Sequence, residues 1–211
     1  MKGLIVSSGT ITNYNRLKEI INEVDYIICA DGGMEHLMKI NKLPNVILGD
    51  LDSISKLTLE YIVNKNIPIE KYSSIKDSTD TELAMEYLID RGCDEIVLMG
   101  VTGTRQDHTM ASILLLDTLY NRGIKANIVD DNNIIYLTDN YLEIEHLEGH
   151  YTSVIPISNT GIIVSLKGFF YNLDNKLIPF GSTLGISNKI VEDIGIVKIH
   201  KGKALIFISK D

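Results

Sequence analysis

Aspartates recur in this chain at points where hydrophobic runs end. Apolar residues 26–29, 46–48 and 96–99 each precede such a segment. Loops after the carboxyl ends of parallel strands share one crevice, the usual ligand site of an open α/β sheet. Carboxylates brought together there repel one another, and their hard oxygen atoms suit Mg²⁺. Since basic residues that could receive a phosphate stand beside them, the pattern predicts a metal-dependent enzyme of phosphoryl transfer. The four segments are Asp31-Gly32-Gly33, Asp50-Leu51-Asp52, Lys76-Asp77-Ser78-Thr79-Asp80 and Arg105-Gln106-Asp107-His108.

Asp50 and Asp52 are separated by Leu51. In an extended segment, residues two apart point the same way, so both carboxylates could meet one cation while Leu51 faces the core. The alternative is structural: Asp50 closes a strand and Asp52 caps the next helix, since Asp is a common helix N-cap. We favour the metal-binding interpretation because the pair is one of several acidic segments.

The segment 76–80 precedes a strongly amphipathic helix. Thr79 with Glu82 fits a capping box, which would explain part of the pattern structurally. Capping does not explain Lys76, Asp77 and Asp80 together. A helix N-terminus also offers free N–H groups and a positive dipole end to a phosphate. We therefore predict a functional role for this segment.

A glycine-containing loop with Arg105 lies between a buried strand and a long helix. Gly100 and Gly103 would let the backbone approach a ligand, and the Arg105 fork suits phosphate oxygens. The loop is not a P-loop, because no Gly-Lys-Ser/Thr follows its glycines. Alternatively, Asp107 is simply the N-cap of the helix, and His108 is a candidate by position only. The remaining histidines receive no role: His36, His146, His150 and His200.

Strand-like and helix-like patterns alternate through the first part of the chain, and these elements must position the acidic segments. Strands separated by helices imply parallel pairing with helices on both faces. We therefore predict a Rossmann-like α/β sheet. The predicted strands are 4–8, 25–30, 46–49, 67–72, 95–99 and 125–129, and the predicted helices are 16–24, 34–38, 57–64, 81–91 and 107–120.

After about residue 130 the helical period disappears and short β-rich runs follow one another, separated by Gly, Asn and Asp. This pattern is typical of a small all-β sandwich or barrel. We predict two domains, an α/β domain over 1–130 and an all-β domain over 131–211. The predicted strands of the second are 134–137, 141–144, 151–157, 162–166, 194–199 and 204–208.

The bulk composition is that of an ordinary globular chain. Its 211 residues are 45% hydrophobic, 23% charged and carry a net charge of −8. The negative charge argues against nucleic-acid binding, which requires a basic face. The sequence has no run of about 18 apolar residues, so we expect no membrane span. Its first residues have the pattern of a strand, so we do not expect them to act as a signal peptide. The two cysteines, Cys29 and Cys93, are interpreted as buried small hydrophobes, so we expect a cytoplasmic protein.

In order and spacing, the four acidic segments resemble those of the thiamine pyrophosphokinases. The second part of the chain agrees with this resemblance, which covers essentially the whole sequence. Its motifs look like the family's thiamine-binding β-domain: Ser165-Leu166-Lys167-Gly168, Tyr171-Asn172-Leu173 and Gly185-Ile186-Ser187-Asn188.

The resemblance implies transfer of a pyrophosphoryl group from ATP to the hydroxyethyl group of thiamine, with Mg²⁺, giving thiamine diphosphate and AMP. It also implies a homodimer whose sites combine the α/β domain of one subunit with the β-domain of the other. By motif, Asp50, Asp52 and Asp80 would hold the metal, and Lys76 and Asp77 would lie at the transferring phosphates.

The other site residues follow from the same resemblance. Arg105 and Asp107 would lie at the nucleotide, and Ser187 and Asn188 against thiamine. Further candidates for binding the nucleotide or substrate are Asp31, Gly32, Gly33, Thr79 and His108. The chain has no Trp, which some members stack on thiamine; the candidate replacements are Phe169, Phe170, Tyr171 and Phe180.

Two alternatives remain. One is a pyrophosphokinase for another primary alcohol, such as a hydroxymethyl pterin, and the Ser187-Asn188 pair argues against it. The other is a non-catalytic protein that binds nucleotide or thiamine. A pure binder has no need for so many mutually repelling carboxylates.

Overall fold

The computed structural model describes residues 1–49, 54–71 and 78–211. These residues form two compact units, Met1–Asp131 and Asn132–Asp211. The division follows Asp131, one residue after the predicted domain boundary. Each unit has its own sheet structure.

Strands and helices alternate in the first unit, as the sequence predicts. The strands are β1 (Lys2–Val6), β2 (Tyr26–Ala30), β3 (Val46–Gly49), β4 (Ile69–Lys71), β5 (Glu95–Met99) and β6 (Lys125–Val129). The helices are α1 (Tyr14–Ile21), α2 (Met34–Lys39), α3 (Lys56–Asn64), α4 (Asp80–Asp90) and α5 (Gln106–Asn121). A short 3₁₀ turn, Asp31–Gly33, leads from β2 into α2.

The strands of the first unit lie in the order β4-β3-β2-β1-β5-β6, and all their pairings are parallel. The central strands carry runs of consecutive buried residues, such as 3–6 in β1 and 96–99 in β5. Burial of successive residues means that both faces of the sheet are covered. The predicted parallel α/β sheet is confirmed.

The predicted bounds of β3, β5 and β6 agree with the structure. The first strand differs, because β1 covers Lys2–Val6 rather than 4–8. Ser7 and Ser8 have left the strand and belong to the loop that follows it. This two-residue shift matters, because that loop forms part of the candidate site.

The second unit contains strands only, among its described elements. They are β7 (Asn133–Thr138), β8 (Tyr141–Glu145), β9 (Tyr151–Pro156), β10 (Ile162–Lys167), β11 (Leu173–Ile178), β12 (Ile194–Lys201) and β13 (Ala204–Ser209). Antiparallel β13 lies between β7 and β9, and a four-stranded sheet has the order β11-β10-β12-β8.

The two sets of strands in the second unit share one core. Val154 and Ile206 come from the first set and Val164 and Val197 from the four-stranded sheet, and all are buried in one cluster. Buried and half-buried residues alternate along β9 and β10, as expected for sheets packed face to face. The predicted sandwich is confirmed. Strand β11 was not predicted, because four of its six residues are exposed and its sequence lacks apolar alternation.

Cys29 and Cys93 are buried and unpaired, as the sequence predicts. Burial raises the pKa of the Cys29 thiol well above its usual value. Among the helices that the structure describes, none has the length and apolar character needed to cross a membrane.

Candidate active site

The strand order of the first unit defines where a ligand would bind. After β1 the chain builds β2, β3 and β4 on one side, then returns to place β5 and β6 on the other. The carboxyl ends of β1 and β5 are therefore neighbours at the point where the direction of the order reverses. Crevices at such switch points are the usual ligand sites of open α/β sheets.

A polar cavity of about 320 Å³ lies at this switch point. One wall is the turn Ser7–Gly9 after β1, and another is the loop 100–105 after β5. Backbone groups and hydroxyls dominate the lining, which suits a phosphorylated or ribose-bearing ligand. The remaining lining residues are Thr81 of α4 and His108, Thr109 and Ser112 of α5.

Gly9 holds the two walls together. Its N–H donates to the Gly100 carbonyl at 2.6 Å, and the Thr10 N–H donates to the Thr102 carbonyl at 2.8 Å. A Cβ at position 9 would lie 2.4 Å from both of these carbonyl oxygens. Only glycine permits so close an approach of the two backbones.

The turn after β2 packs against the end of β1 in the same way. A Cβ on Gly33 would lie 2.1 Å from the Val6 carbonyl oxygen, so this position of the predicted Asp31-Gly32-Gly33 segment also requires glycine. Asp31 is half-buried. It follows Ala30, which pairs in register with Leu48 of β3. Asp31 therefore lies beside the carboxyl end of β3, the strand that precedes segment 50–53 in the sequence.

Four predicted site residues, Asp50, Asp52, Lys76 and Asp77, lie outside the described residues. The structure does test the alternative in which Asp52 is the N-cap of the next helix, α3. The N-cap of α3 is Ser55, whose hydroxyl accepts the Thr58 N–H at 3.1 Å. The interpretation of Asp52 as the cap of this helix is therefore wrong.

The first turn of α4 lies at the same edge as the cavity. Thr79 is its N-cap and accepts the Glu82 N–H at 3.2 Å, as the capping box predicts. The Thr81 hydroxyl lies 3.0 Å from the hydroxyl of Ser7. This contact brings Asp80, the first residue of α4, to the carboxyl end of β1. Asp80 is half-buried there, while the Thr79 hydroxyl is used in capping.

Arg105 and Asp107 form an ion pair at the start of α5. The guanidinium donates from Nη2 to Oδ2 at 2.6 Å and from Nε to Oδ1 at 3.2 Å. The Arg105 guanidinium lowers the pKa of the Asp107 carboxyl to about 2. Arg105, not Asp107, occupies the N-cap position of α5, so the structural alternative for Asp107 is wrong. His108 lines the cavity one residue further on.

The described acidic residues do not by themselves form a metal centre. Within residues 1–49, 54–71 and 78–211, no group of three or more His, Cys, Asp and Glu side chains is placed to hold one ion. Asp80 is the one predicted metal ligand among the described residues, and Asp50 and Asp52 lie outside these ranges.

Ser187 and Asn188 lie in the second unit, and their roles there differ. Ser187 is exposed, with a positive φ of 57°. Asn188 is buried, and its amide donates to the Tyr171 carbonyl at 2.8 Å and accepts the Tyr171 N–H at 3.0 Å. Its side chain therefore holds the loop that carries Phe170 and Tyr171, whose rings meet edge to face.

The four aromatic candidates for stacking fall into two groups. Phe169 is buried in the core of the second unit, with 1% of its surface exposed, and could not stack on a ligand. Phe170, Tyr171 and Phe180 each expose more than half of their surface. The exposed three remain candidates.

Two features were not predicted: the turn Ser7–Gly9, which lines the cavity, and His36, which contacts this turn from outside the lining. The turn Ser7–Gly9 had a usable signal, a run of small residues directly after the first apolar strand. His36 had none, because its partners are distant in sequence: its Nε2 lies 2.8 Å from the Gly9 carbonyl oxygen and its Nδ1 lies 3.1 Å from the Tyr14 hydroxyl.

Comparison with known proteins agrees with both units. The family model for "Thiamin pyrophosphokinase, catalytic domain" matches residues 17–128, and that for "Thiamin pyrophosphokinase, vitamin B1 binding domain" matches residues 139–206. The chain is 33% identical over 209 residues to a thiamine pyrophosphokinase of Bacillus subtilis (strain 168), with 98% of each chain covered.

Solved structures give the same result. The crystal structure of thiamine pyrophosphokinase from Bacillus subtilis matches with a TM-score of 0.89 and 29% identity over 100% of both chains. That of thiamin pyrophosphokinase from Geobacillus thermodenitrificans matches with a TM-score of 0.86 and 27% identity, over 100% of this chain and 98% of the other. Since the catalytic-domain model alone spans more than half of the 211 residues, the chain belongs to the thiamin pyrophosphokinase family.

Proposed function

We propose that this protein transfers the pyrophosphoryl group of ATP to the hydroxyethyl group of thiamine, giving thiamine diphosphate and AMP. One observation carries the proposal: the two family models match in order on the two compact units, 17–128 within Met1–Asp131 and 139–206 within Asn132–Asp211. The chain thus has a counterpart of each part named in the family. The alternative acceptor, a hydroxymethyl pterin, finds no support in these comparisons.

The nucleotide is proposed to bind in the cavity between β1 and β5. Its hydroxyls and N–H groups can donate to phosphate and ribose oxygens, and the N-terminal turns of α4 and α5 contribute to its lining. Helix N-termini favour anions, because their N–H groups are free and the dipole is positive there. The exposed guanidinium of Arg105 would add a fork for phosphate oxygens.

Magnesium is proposed to bind at the acidic edge beside this cavity, on Asp50, Asp52 and Asp80. Carboxylate oxygens are the ligands that Mg²⁺ prefers, so the donor set fits the ion. Asp80 is half-buried at the helix start beside β1, and Asp31 lies at the end of β2. Bound there, the ion would neutralise charge on the ATP phosphates.

The reaction itself requires positioning more than covalent chemistry by the protein. The thiamine hydroxyl oxygen attacks the β-phosphorus, and the bond from that phosphorus to the bridging α–β oxygen breaks as AMP leaves. We propose that Asp77 accepts the proton of the thiamine hydroxyl. Lys76 and Arg105 would stabilise the negative charge that develops on the leaving AMP.

Thiamine is proposed to bind the second unit near Ser187 and the Phe170–Tyr171 loop. Ser187 and both rings are exposed, whereas the Asn188 amide is engaged with Tyr171. Asn188 would therefore act by holding this loop in place.

We further propose a homodimer in which the second unit of one subunit completes the site on the first unit of the other. A cytoplasmic location stays a prediction, which the unpaired buried cysteines favour.

AMP release from ATP and Mg²⁺ tests the proposal, measured with a panel of acceptors. Thiamine should stimulate AMP release, whereas thiamine monophosphate should not, because its hydroxyl is already esterified. A hydroxymethyl pterin tests the alternative acceptor directly. AMP release that is stimulated by the pterin and not by thiamine would replace the proposal with that alternative.

A further inference from the structure

Three side chains form a line of hydrogen bonds that ends on the wall of the cavity. Lys39 Nζ donates to the Tyr14 hydroxyl at 3.0 Å, and that hydroxyl lies 3.1 Å from His36 Nδ1. His36 Nε2 lies 2.8 Å from the Gly9 carbonyl oxygen. Since a carbonyl can only accept, Nε2 carries the proton, and Nδ1 of the neutral ring accepts from Tyr14. Each group in this line therefore donates a hydrogen bond to the next, from Lys39 through Tyr14 and His36 to Gly9.

We infer that His36 is a positioning residue for nucleotide binding, which holds the Ser7–Gly9 wall of the cavity through the Gly9 carbonyl. The inference rests on the proposed function, because it assumes that the ligand of this cavity is the nucleotide. It assigns a role in that site to a residue outside the acidic motifs.

The Gly9 backbone shows why this one hydrogen bond matters. Its N–H is bonded to Gly100, and its Cα packs too closely on the neighbouring loop to accept a side chain. The His36 bond fixes the remaining polar group of the same residue. Without it, the carbonyl loses its partner in a part-buried position, and this peptide keeps only the bond from the Thr10 N–H to the Thr102 carbonyl.

His36 also connects the cavity with the acidic edge. It lies on α2, which follows directly from the Asp31–Gly33 turn. Gly33 of that turn packs on the Val6 carbonyl of β1. The β2 turn and the β1 turn are thus joined twice, once by the backbone at Gly33 and once by the His36 side chain. A shift of one turn would be transmitted to the other.

Burial of His36 favours the neutral ring, which can accept the hydrogen bond from Tyr14. Burial is the main cause of its lowered pKa, and Lys39 lowers it further. The Gly9 carbonyl and the carboxylates of Glu35 and Asp131 act in the opposite direction. Protonation in acid would place a hydrogen on Nδ1, and Tyr14 could then no longer donate to it.

Calorimetric binding of ATP with Mg²⁺ tests the inference in three variants. His36→Leu removes the donor, and the affinity for ATP should fall by about five- to tenfold, the equivalent of one lost hydrogen bond. His36→Gln retains an N–H donor and should restore affinity to within about twofold of the wild type. Tyr14→Phe keeps the packing but frees Nδ1, and its affinity should lie between these two. His146→Leu, in the second unit, is the matched control.

Steady-state kinetics and pH provide the readouts that a merely structural role would not change. In His36→Leu, KM for ATP should rise while kcat and KM for thiamine stay near wild type. Because burial lowers the pKa of His36, the wild-type affinity for ATP should weaken only at pH values below about 6.5, the ordinary pKa of histidine. Protonated His36 still donates from Nε2 to Gly9 and loses only the Tyr14 contact, so the loss should not exceed that of Tyr14→Phe. The loss should be smaller in His36→Gln, which does not titrate in this range.

Several results would overturn the inference. ATP affinity in His36→Leu within twofold of wild type is one, and a His36→Gln variant as weak as His36→Leu is another. If His36→Leu does not fold, two other results together would overturn the inference. The affinity for ATP would be unchanged in Tyr14→Phe, and it would fall equally in acid for the wild type and His36→Gln. Wild-type protein that binds ATP but releases no AMP with thiamine would instead count against the proposed function alone.

Discussion

The Arg105 guanidinium and the Asp107 carboxylate bind each other through two hydrogen bonds across a single intervening residue. Both side chains are about two-thirds exposed, at 69% and 66%. A surface pair of this kind contributes little to stability. Instead, the pair fixes the position of the planar Arg105 guanidinium beside the cavity, which Arg105 helps to line.

The pKa of Asp107 should show directly whether this ion pair forms in solution. Because Arg105 lowers the pKa of Asp107 to about 2, the carboxylate stays charged and paired at neutral pH and loses the pair only as pH falls toward that value. In Arg105→Gln, the pKa should return toward about 4, the ordinary value for Asp. Carboxyl-carbon NMR titration measures both. An ordinary Asp107 pKa in the wild type would show that the pair does not persist in solution.

Arg105→Lys separates charge from geometry. A lysine keeps the positive charge but cannot offer two parallel donors to phosphate. We expect kcat/KM for ATP to fall by about tenfold or more, on the scale of a lost electrostatic contact. Arg122→Lys, just after the C-terminal end of α5, is the matched control. Equal kinetics in the two variants would remove Arg105 from the nucleotide site.

Gly9→Ala tests the close packing of the two cavity walls. The added Cβ would meet the Gly100 and Thr102 carbonyl oxygens at 2.4 Å, so one loop must move. Overpacking of this kind costs about 1–3 kcal/mol, which denaturant unfolding should detect. Gly103→Ala is the control in the same loop system, because its Cβ would meet only ordinary contacts from 3.6 Å. Equal stability of the two variants would contradict the account of the walls.

Asn188→Asp tests the loop of the second unit. A carboxylate cannot donate to the Tyr171 carbonyl, and the position is buried. We expect a loss of about 1–3 kcal/mol in unfolding free energy, the cost of a buried polar group without its partner. KM for thiamine should rise more than KM for ATP. Asn159→Asp, at an exposed position, should change neither, and a similar response from both variants would argue against the loop role of Asn188.

Asp52→Asn tests the proposed metal site. Loss of one carboxylate should reduce turnover by about 10²-fold or more while the fold stays intact, as for other lost electrostatic groups. The Mg²⁺ concentration needed for half-maximal rate should also rise. Asp117→Asn, on α5 of the first unit, is the control. Wild-type turnover with wild-type Mg²⁺ dependence would remove Asp52 from the ligand set.

Local patterns were sufficient for much of the fold. The sequence pattern located β3 and β5 to the residue, because buried parallel strands are short apolar runs with clear ends. It also located β6, although only the last two residues of that strand are buried. It missed β11, an edge strand with mainly exposed residues, which leaves no apolar pattern to detect. The Thr79 cap was also predictable, since it depends on residues three positions apart.

The candidate site was predictable only where its residues fall into local motifs. Acidic segments after strands are visible in a sequence, and Asp31, Asp80 and Arg105 were predicted as site residues in this way. His36 was not, because its contact with Gly9 crosses 27 positions and depends on how α2 packs beside β1. The ordering of Ser7–Gly9 against the loop after β5 likewise exists only once the two strands are neighbours.

Phosphorus NMR of one reaction mixture distinguishes pyrophosphoryl transfer from phosphoryl transfer, because it identifies both products at once. With ATP, Mg²⁺ and thiamine, we expect AMP and thiamine diphosphate in equal amounts, and neither product when thiamine is omitted. ADP together with thiamine monophosphate would mean attack on the γ-phosphorus, and would contradict pyrophosphoryl transfer.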